Sequence, residues 1–449
     1  MTPLGQCFRD SDCQDLYVCT QNACVHKDIF PPTPVEIVAT IIMCAFNSLG
    51  SAAGVAEAGL LSSYLMIFLN YTLTGSISCA SAVGLGGALG NFVNVIFQRH
   101  PETKKPFVNY DINLIVIPML MAGVFIGVNV PKVAPNMATI IILFIVLGIS
   151  SYKFAVNLMK QLKREHEYKG NLKELATGSE VNPSSETDLS SQKLLVEREE
   201  YNPQTADQEE AELTEFMKEE QRLIPWNKYR EILIMVLAIV IFVLLRGSKT
   251  TKSLIEIPYC GVYYWLALPV ILLFFVGMFY RTSRLVQSWQ AKRLQMGLKY
   301  HNELQLNKER ILKIGGLAGC AGIIGASISI GGGMIMQPFF LQWGLPPRDI
   351  SYTCSFFIIM TLFNTTYQQF VTGNLKLDQI IWFGGIAFLC SFVSSILAGW
   401  YVRKTGKQSL LLKFLLIVSA ISIMMEVYVV VDEVKHDLDD LLAWKNICA

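Results

Sequence analysis

The sequence predicts an all-α polytopic membrane protein. Hydrophobic residues fill 52% of the 449 positions and charged residues only 16%, against roughly 25% charged in an ordinary soluble protein. The apolar residues fall in long runs, charge lies almost wholly between them, and mean hydropathy is +0.41. A water-soluble fold could not bury that many apolar runs, so the soluble classes are excluded. Net charge is +1, from 37 basic and 36 acidic residues, so no global field points to nucleic acid.

A membrane-spanning helix needs about 20 apolar residues. Full-length candidates run at 73–98, 111–131, 134–158, 228–246, 259–280, 350–371, 379–401 and 408–431. Two further stretches are apolar but broken. Residues 36–70 carry Gly50, Ser51, Gly54, Glu57 and Gly59. Residues 311–343 carry Gly322, Gly325, Ser327, Ser329 and the run Gly331-Gly332-Gly333. Glycine weakens a helix, and unwound backbone inside a bilayer survives only where protein or a water-filled cavity surrounds it. Each broken stretch therefore reads as a re-entrant hairpin of two half-helices.

The remaining segments define the organisation. Residues 1–35 form a polar tail with Cys7, Cys13, Cys19 and Cys24, spaced as for two disulfides in an oxidising compartment. Residues 36–158 are a first transmembrane repeat, 159–227 an acidic linker with the composition of a solvated, disordered segment, and 228–280 two extra spans. Residues 281–310 form a basic loop, 311–431 a second repeat and 432–449 an acidic tail. With the cysteine tail outside, the loops at 99–110, 281–310 and 403–407 fall inside and carry most loop lysines and arginines. That follows the positive-inside rule. One loop dissents, because Arg246, Lys249 and Lys252 fall outside.

The broken stretches align with each other. A shift of 274 residues carries Gly59 onto Gly333, Ser81 onto Ser355 and Asn94 onto Gln368. Each copy then reads hairpin, span, span, span, and the two extra spans make the copies inverted. Inverted repeats with broken helices point to a secondary transporter with a site near the bilayer midplane. Half-helix N-termini leave N–H groups unpaired and carry partial positive charge, so two of them can hold an anion without a buried Lys or Arg. The alternative for any single glycine is close helix packing.

The second half is similar to the sulfite exporter TauE/SafE family of membrane transporters, in its larger eukaryotic form. The match runs from Gly325 through Ser329, Ile330-Gly331-Gly332-Gly333-Met334-Ile335 and Pro338 to Gly344-Leu345-Pro346-Pro347 and Thr353-Cys354-Ser355. The first half resembles the plant-type pattern in Arg99-His100-Pro101, Pro106, Tyr110-Asp111, Pro118-Met119 and Gly127-Val128. The resemblance implies sulfite or a sulfur-containing organic anion as substrate. The first repeat departs from the family, reading Gly54-Val55-Ala56-Glu57-Ala58-Gly59 where a glycine run and a following proline belong.

Candidate substrate-binding residues are therefore Gly54, Gly59, Ser81, Asn91, Gly331, Gly332, Gly333, Ser355 and Asn364. The polar side chains among them offer neutral donors, and their ordinary alternative is interhelical hydrogen bonding. Glu57 is the proton-coupling candidate, since a carboxylate deep in a bilayer is costly and functional by default. Glu426, near the end of the last span, reads as reaching for the headgroups. All five histidines lie outside the spans and no span holds a carboxylate pair, which argues against catalysis, a metal and a cofactor. The partners implied are a small anion and the bilayer of a plasma membrane or endomembrane, with a homo-oligomer left open. The competing class is a membrane receptor or scaffold using the cysteine tail as an ectodomain.

Overall fold

The computed structural model describes residues 9, 12–13, 16–20, 23–52, 58–99, 105–176, 214–222, 225–248, 251, 253–296, 304, 306–343, 345, 347–405, 409–436 and 444. Strand appears only in the tail among them. There β1 (Tyr17–Thr20) pairs with β2 (Ala23–His26) antiparallel, Val18 opposite Val25. β-Branched and aromatic residues suit that pleated pairing.

The first half comprises α1 (Pro34–Ala52), α2 (Ala58–Leu69), α3 (Leu73–Ile96), α4 (Tyr110–Gly127), the short α5 (Val130–Val133) and α6 (Asn136–Ala176). Side-chain caps set two of the starts. Thr72 accepts the Gly75 N–H at 3.2 Å ahead of α3, and Asn109 accepts the Asp111 and Ile112 N–H groups ahead of α4. Then come α7 (Trp226–Arg246) and α8 (Val262–Gln295). The second half holds α9 (Lys308–Ser327), α10 (Gly332–Gln342), α11 (Pro347–Val371), α12 (Gly385–Thr405) and α13 (Ser409–His436). The chain enters α12 through one turn, Leu377–Gln379, and a π-helical segment, Ile380–Gly384. Shifted by 274 residues, the start of α1 falls on that of α9, and α2, α3 and α6 overlie α10, α11 and α13.

Among the described residues five stretches are long and apolar enough to cross a membrane: Leu73–Ile96, Tyr110–Val133, Val262–Gln295, Lys308–Ser327 and Leu377–Tyr401. Their outward surfaces are apolar too, with Leu273 of α8 71% and Leu389 of α12 61% exposed. Large exposed apolar faces on this scale belong against lipid. The protein is an integral membrane protein. One detail differs from the half-helix expectation: the hairpin arms are unequal. The first arms run 19 and 20 residues, the second arms 12 and 11. Lys308, Glu309, Arg310 and Lys313 keep the first turns of α9 polar, so its apolar stretch is shorter than its length suggests.

α4 packs along α9 and α8, α1 along α12, and α3 between α11 and α12, while α6 lies against α13. Glycine makes two of these seams tight. A Cβ at Gly86 would sit 2.0 Å from the Gly384 carbonyl oxygen, and one at Gly123 would sit 2.2 Å from that of Gly319. Small residues let backbones approach in lipid, where apolar burial alone gives helices no reason to associate. A disulfide between Cys44 and Cys390, with Cα atoms 6.1 Å apart, ties α1 to α12. Cys13, Cys19 and Cys260 are also disulfide-bonded. Cys7 and the Cys24 side chain lie outside the described residues.

Two clasps close the ends of the bundle. On the tail face, the Tyr17 hydroxyl donates to the Asn70 carbonyl at 2.8 Å and the His26 ring stacks on Tyr71 with centroids 4.1 Å apart. The Ile29 N–H donates to Asp378 at 2.8 Å, and Lys376 donates to Asp28 at 2.6 Å. On the opposite, linker face, Asp111 in the first turn of α4 takes Lys228 at 2.5 Å and Arg293 at 2.7 Å. Arg293 also bonds Glu220, which takes Lys105 at 2.5 Å. Burial pushes the Glu220 carboxyl up, but Arg293 and Lys105 outweigh it and hold the group below its ordinary range. Glu220 belongs to the acidic linker, read from sequence as solvated and disordered. Residues 214–220 within it are helical, inside the stretch 206–223 where the sequence allows the linker one helix.

Candidate functional site

The second break is the best-defined irregular backbone inside the bundle. α9 stops at Ser327, Ser329 and Gly331 take left-handed φ values of 56° and 81°, and α10 begins at Gly332. Ser327, Ile328, Ser329 and Ile330 are all buried. Ile328 and Ile330 pack against Leu143 and Leu147 of α6, with Leu416 and Ile423 of α13 behind them. The Ser329 hydroxyl between them is buried without a hydrogen-bond partner.

The glycines after the break admit neighbouring helices. A Cβ on Gly332 would meet Leu120 Cδ1 of α4 at 2.3 Å, and one on Gly333 would meet the Cys354 carbonyl oxygen of α11 at 2.5 Å. The N-terminus of α10 is thus wedged between α4 and α11, its first N–H groups short of helical partners. Gly331 faces Ile358, about one turn from the point where α11 crosses α3. Ala88, Ile358, Ile359 and Leu362 pack together at that crossing.

A polar seam runs from the crossing toward the tail face. Thr366 Oγ1 donates to Ser81 Oγ at 3.1 Å, and Ser81 donates to the Ser78 carbonyl at 2.6 Å. Gln368 Nε2 donates to Asn364 Oδ1 at 3.0 Å, and the Asn364 amide lies 3.5 Å from the Met121 sulfur. All of these residues are buried. The shared face expected of Asn364 and Gln368 is therefore present, and Thr366 joins Ser81.

Ser81 and Ser355, matched by the repeat shift, are not brought together. Ser81 instead meets Thr366, eleven residues beyond Ser355 on α11 and so about 16 Å along that helix. Ser355 accompanies the break at Gly331–Gly333, and Ser81 accompanies the Thr366 seam. Asn91 is half-buried on α3. Gly54 and Glu57 lie outside the described residues, and Gly59 is in the first turn of α2. Asn94 bonds the Phe392 carbonyl at 3.0 Å and Ser395 besides, a helix–helix tie.

Two buried polar groups stand outside the expected site, Glu426 against its headgroup reading and Asn113 unremarked in the sequence. Glu426 is only 2% exposed and accepts a hydrogen bond from Ser63 of α2, so it faces into the bundle and not the headgroups. Asn113 of α4 is fully buried with neither amide atom partnered. The signal in both cases was one polar residue in an apolar run. Among the described residues no cluster of His, Cys, Asp or Glu has metal-binding geometry.

These features define a class: an integral membrane protein of packed helices with glycine-broken backbone buried at its centre. The family follows from comparison. The family profile described as "Sulfite exporter TauE/SafE" matches residues 221–425. Curated relatives from Arabidopsis thaliana extend the match across most of the chain. Sulfite exporter TauE/SafE family protein 5 is 28% identical over 381 residues, 84% of this chain and 79% of the relative. Family protein 2 is 25% identical over 401 residues, 88% and 82% of the two chains. Family protein 1 is 24% identical over 399 residues, 86% and 82%. No solved structure matches. Together these matches show the TauE/SafE resemblance that the sequence motifs carry.

Proposed function

We propose that this chain is a secondary transporter of a small anion, built as two inverted repeats and working by alternating access. The relatives are named as members of a sulfite exporter family, which supports sulfite or a sulfur-containing organic anion as the substrate class. The observation that carries the reading is the pair of hairpins. The single 274-residue shift that lays α1, α2 and α3 over α9, α10 and α11 joins elements that enter from opposite faces. Glu36 at the start of α1 pairs with Lys27 at 2.9 Å, and His26 lies 3.4 Å from the Leu69 carbonyl at the end of α2, so both ends of that hairpin reach the tail face. The second hairpin has both ends at the linker face. Leu306 ahead of α9 bonds Gln290 at 3.2 Å, and Tyr352 just beyond α10 bonds Gln98 at 2.9 Å.

The helix pairings support the same relation, since exchanging the halves turns α1 on α12 into α9 on α4. In this reading eight helices cross the bilayer, the tail lies outside, and the anion sits where the breaks approach the α3–α11 crossing. Gly331, Gly332, Gly333, Ser355 and Asn364 serve it from the second half, and Gly54, Gly59, Ser81 and Asn91 from the first. Glu57 carries a coupled proton. Neutral donors and helix N-termini suit an anion that must also leave, because they bind without a buried counter-charge.

The test is uptake of radiolabelled sulfite into proteoliposomes, with and without an imposed proton gradient. Gly333→Leu is expected to abolish uptake, because the added side chain collides with the Cys354 carbonyl. Glu57→Gln is expected to retain uptake but lose its dependence on the gradient. Uptake indifferent to both changes would place the site elsewhere. No uptake by folded protein would favour the receptor reading, in which the tail is the functional part.

A further inference from the structure

The loop that dissents from the positive-inside pattern begins at Arg246, and the structure gives that arginine an unusual setting. It ends α7 and is 7% exposed. Its guanidinium carbon lies 4.1 Å from the Tyr264 ring centre, so one planar face is occupied by a cation–π contact. Its hydrogen-bonding edge is not. Nε and Nη2, whose N–H bonds point the same way, are both buried without a partner. Those two groups form the fork with which arginine grips carboxylates and oxyanions side-on.

A second cation reaches the same place. Lys132 of α5 donates to Thr372 Oγ1 at 3.4 Å, and it lies within electrostatic reach of Arg246. The neighbouring Val371 carbonyl accepts from the hydroxyls of Ser248 and Thr251, each at 2.7 Å, and both belong to the loop that follows Arg246. Among the described residues neither cation has a carboxylate partner. Buried charges are ordinarily paired, and an unmade hydrogen bond to a buried charged group is costly.

The plainer explanation is that both cations cap helix C-termini. Capping would use the last carbonyls, and those carbonyls are taken. Val243 accepts the Gly247 N–H, Leu244 accepts the Leu254 N–H, and Leu245 accepts the Ser253 hydroxyl. The fork itself bonds none of these carbonyls, since Nε and Nη2 are without a partner.

We propose that Arg246 and Lys132 form an anion site at the tail face, separate from the glycine breaks, that takes a small divalent oxyanion. The Arg246 fork holds two of its oxygens and the Lys132 ammonium a third. As a station on the substrate's path this site rests on the transport reading, but the binding itself does not. Trp265, whose ring centroid lies 5.7 Å from that of Tyr264, reports occupancy.

The test titrates purified full-length protein with sulfate at constant ionic strength, following calorimetric heat and tryptophan emission. Sulfate is the probe because, unlike sulfite, it does not cleave disulfides. Arg246→Lys keeps the charge and removes the fork, and it is expected to weaken binding at least tenfold, as is Lys132→Gln. Lys313→Gln, at an exposed position of α9 outside both sites, is expected to leave this binding unchanged. Thermal unfolding confirms that each variant is folded. Sulfate binding that survives Arg246→Lys and Arg246→Gln unaltered, or that the wild type lacks at millimolar sulfate, would overturn the proposal. Binding lost with Arg246 but present in a protein that transports nothing would uphold the site and sink the transport reading instead.

Discussion

The two clasps do similar jobs by different chemistry. The linker-face clasp is a chain of buried charges, Lys228–Asp111–Arg293–Glu220–Lys105, joining α4, α7, α8 and the acidic linker. The tail-face clasp uses carbonyl hydrogen bonds, stacked rings and the exposed Lys376–Asp28 pair. Only the tail clasp bridges both halves, from Asn70 and Tyr71 to Lys376 and Asp378. The difference teaches where each can give way. A buried charge network resists partial opening, because losing one member strands another in a poor environment. A clasp of single neutral bonds can loosen one contact at a time.

The largest expected effect tests the network. Asp111→Asn strips Lys228 of its counter-charge and leaves Arg293 with Glu220 alone, and is expected to destabilise the fold by about 3–5 kcal/mol. Thermal unfolding in detergent checks it, and a shift within error would mean that solvent already screens the network. Next comes the seam between the faces. Gly86→Ala drives a methyl into the Gly384 carbonyl and is expected to cost about 1–3 kcal/mol. If it costs nothing, the clasps and not the seam hold α3 to α12.

The tail clasp should also depend on pH. Burial pushes the His26 pKa below its ordinary 6.5, partly opposed by the Lys27 and Leu69 carbonyls. The undocked chain therefore takes up the proton first as pH falls. Docking is fully stable above 6.5 and weakens as pH drops below it toward the depressed value. Limited proteolysis of the tail between pH 7.5 and 5.5 reads this out, and His26→Phe should flatten the response. The smallest effect belongs to Lys376→Met. Its partner Asp28 is 73% exposed, so the ion pair contributes about 0–1 kcal/mol. A larger loss would mean that its bond to the His26 carbonyl, at 3.0 Å, matters more than the charge.

Much of this architecture was legible before any coordinates. The glycine breaks and the shift of 274 residues are patterns along the chain, and the helices follow them. What pattern could not supply was proximity. Ser81 and Ser355 match by that shift, yet the neighbour Ser81 meets across the helices is Thr366. Glu426 looked peripheral because its partner, Ser63, lies 363 positions away. The linker looked solvated because its composition is acidic, and the basic residues that receive Glu220 belong to other segments. Arg246 was visible only as an exception to a rule, and its setting had to be seen.

The Cys44–Cys390 bond has a consequence for the chain as a covalent object. It closes a ring that contains α2 through α11 and the acidic linker between them. A single cut between residues 177 and 213 would leave two fragments that still migrate as one species without reductant and part when reductant is added. In living membrane the same bond would let the protein survive a nick in its acidic linker with α1 and α12 still joined.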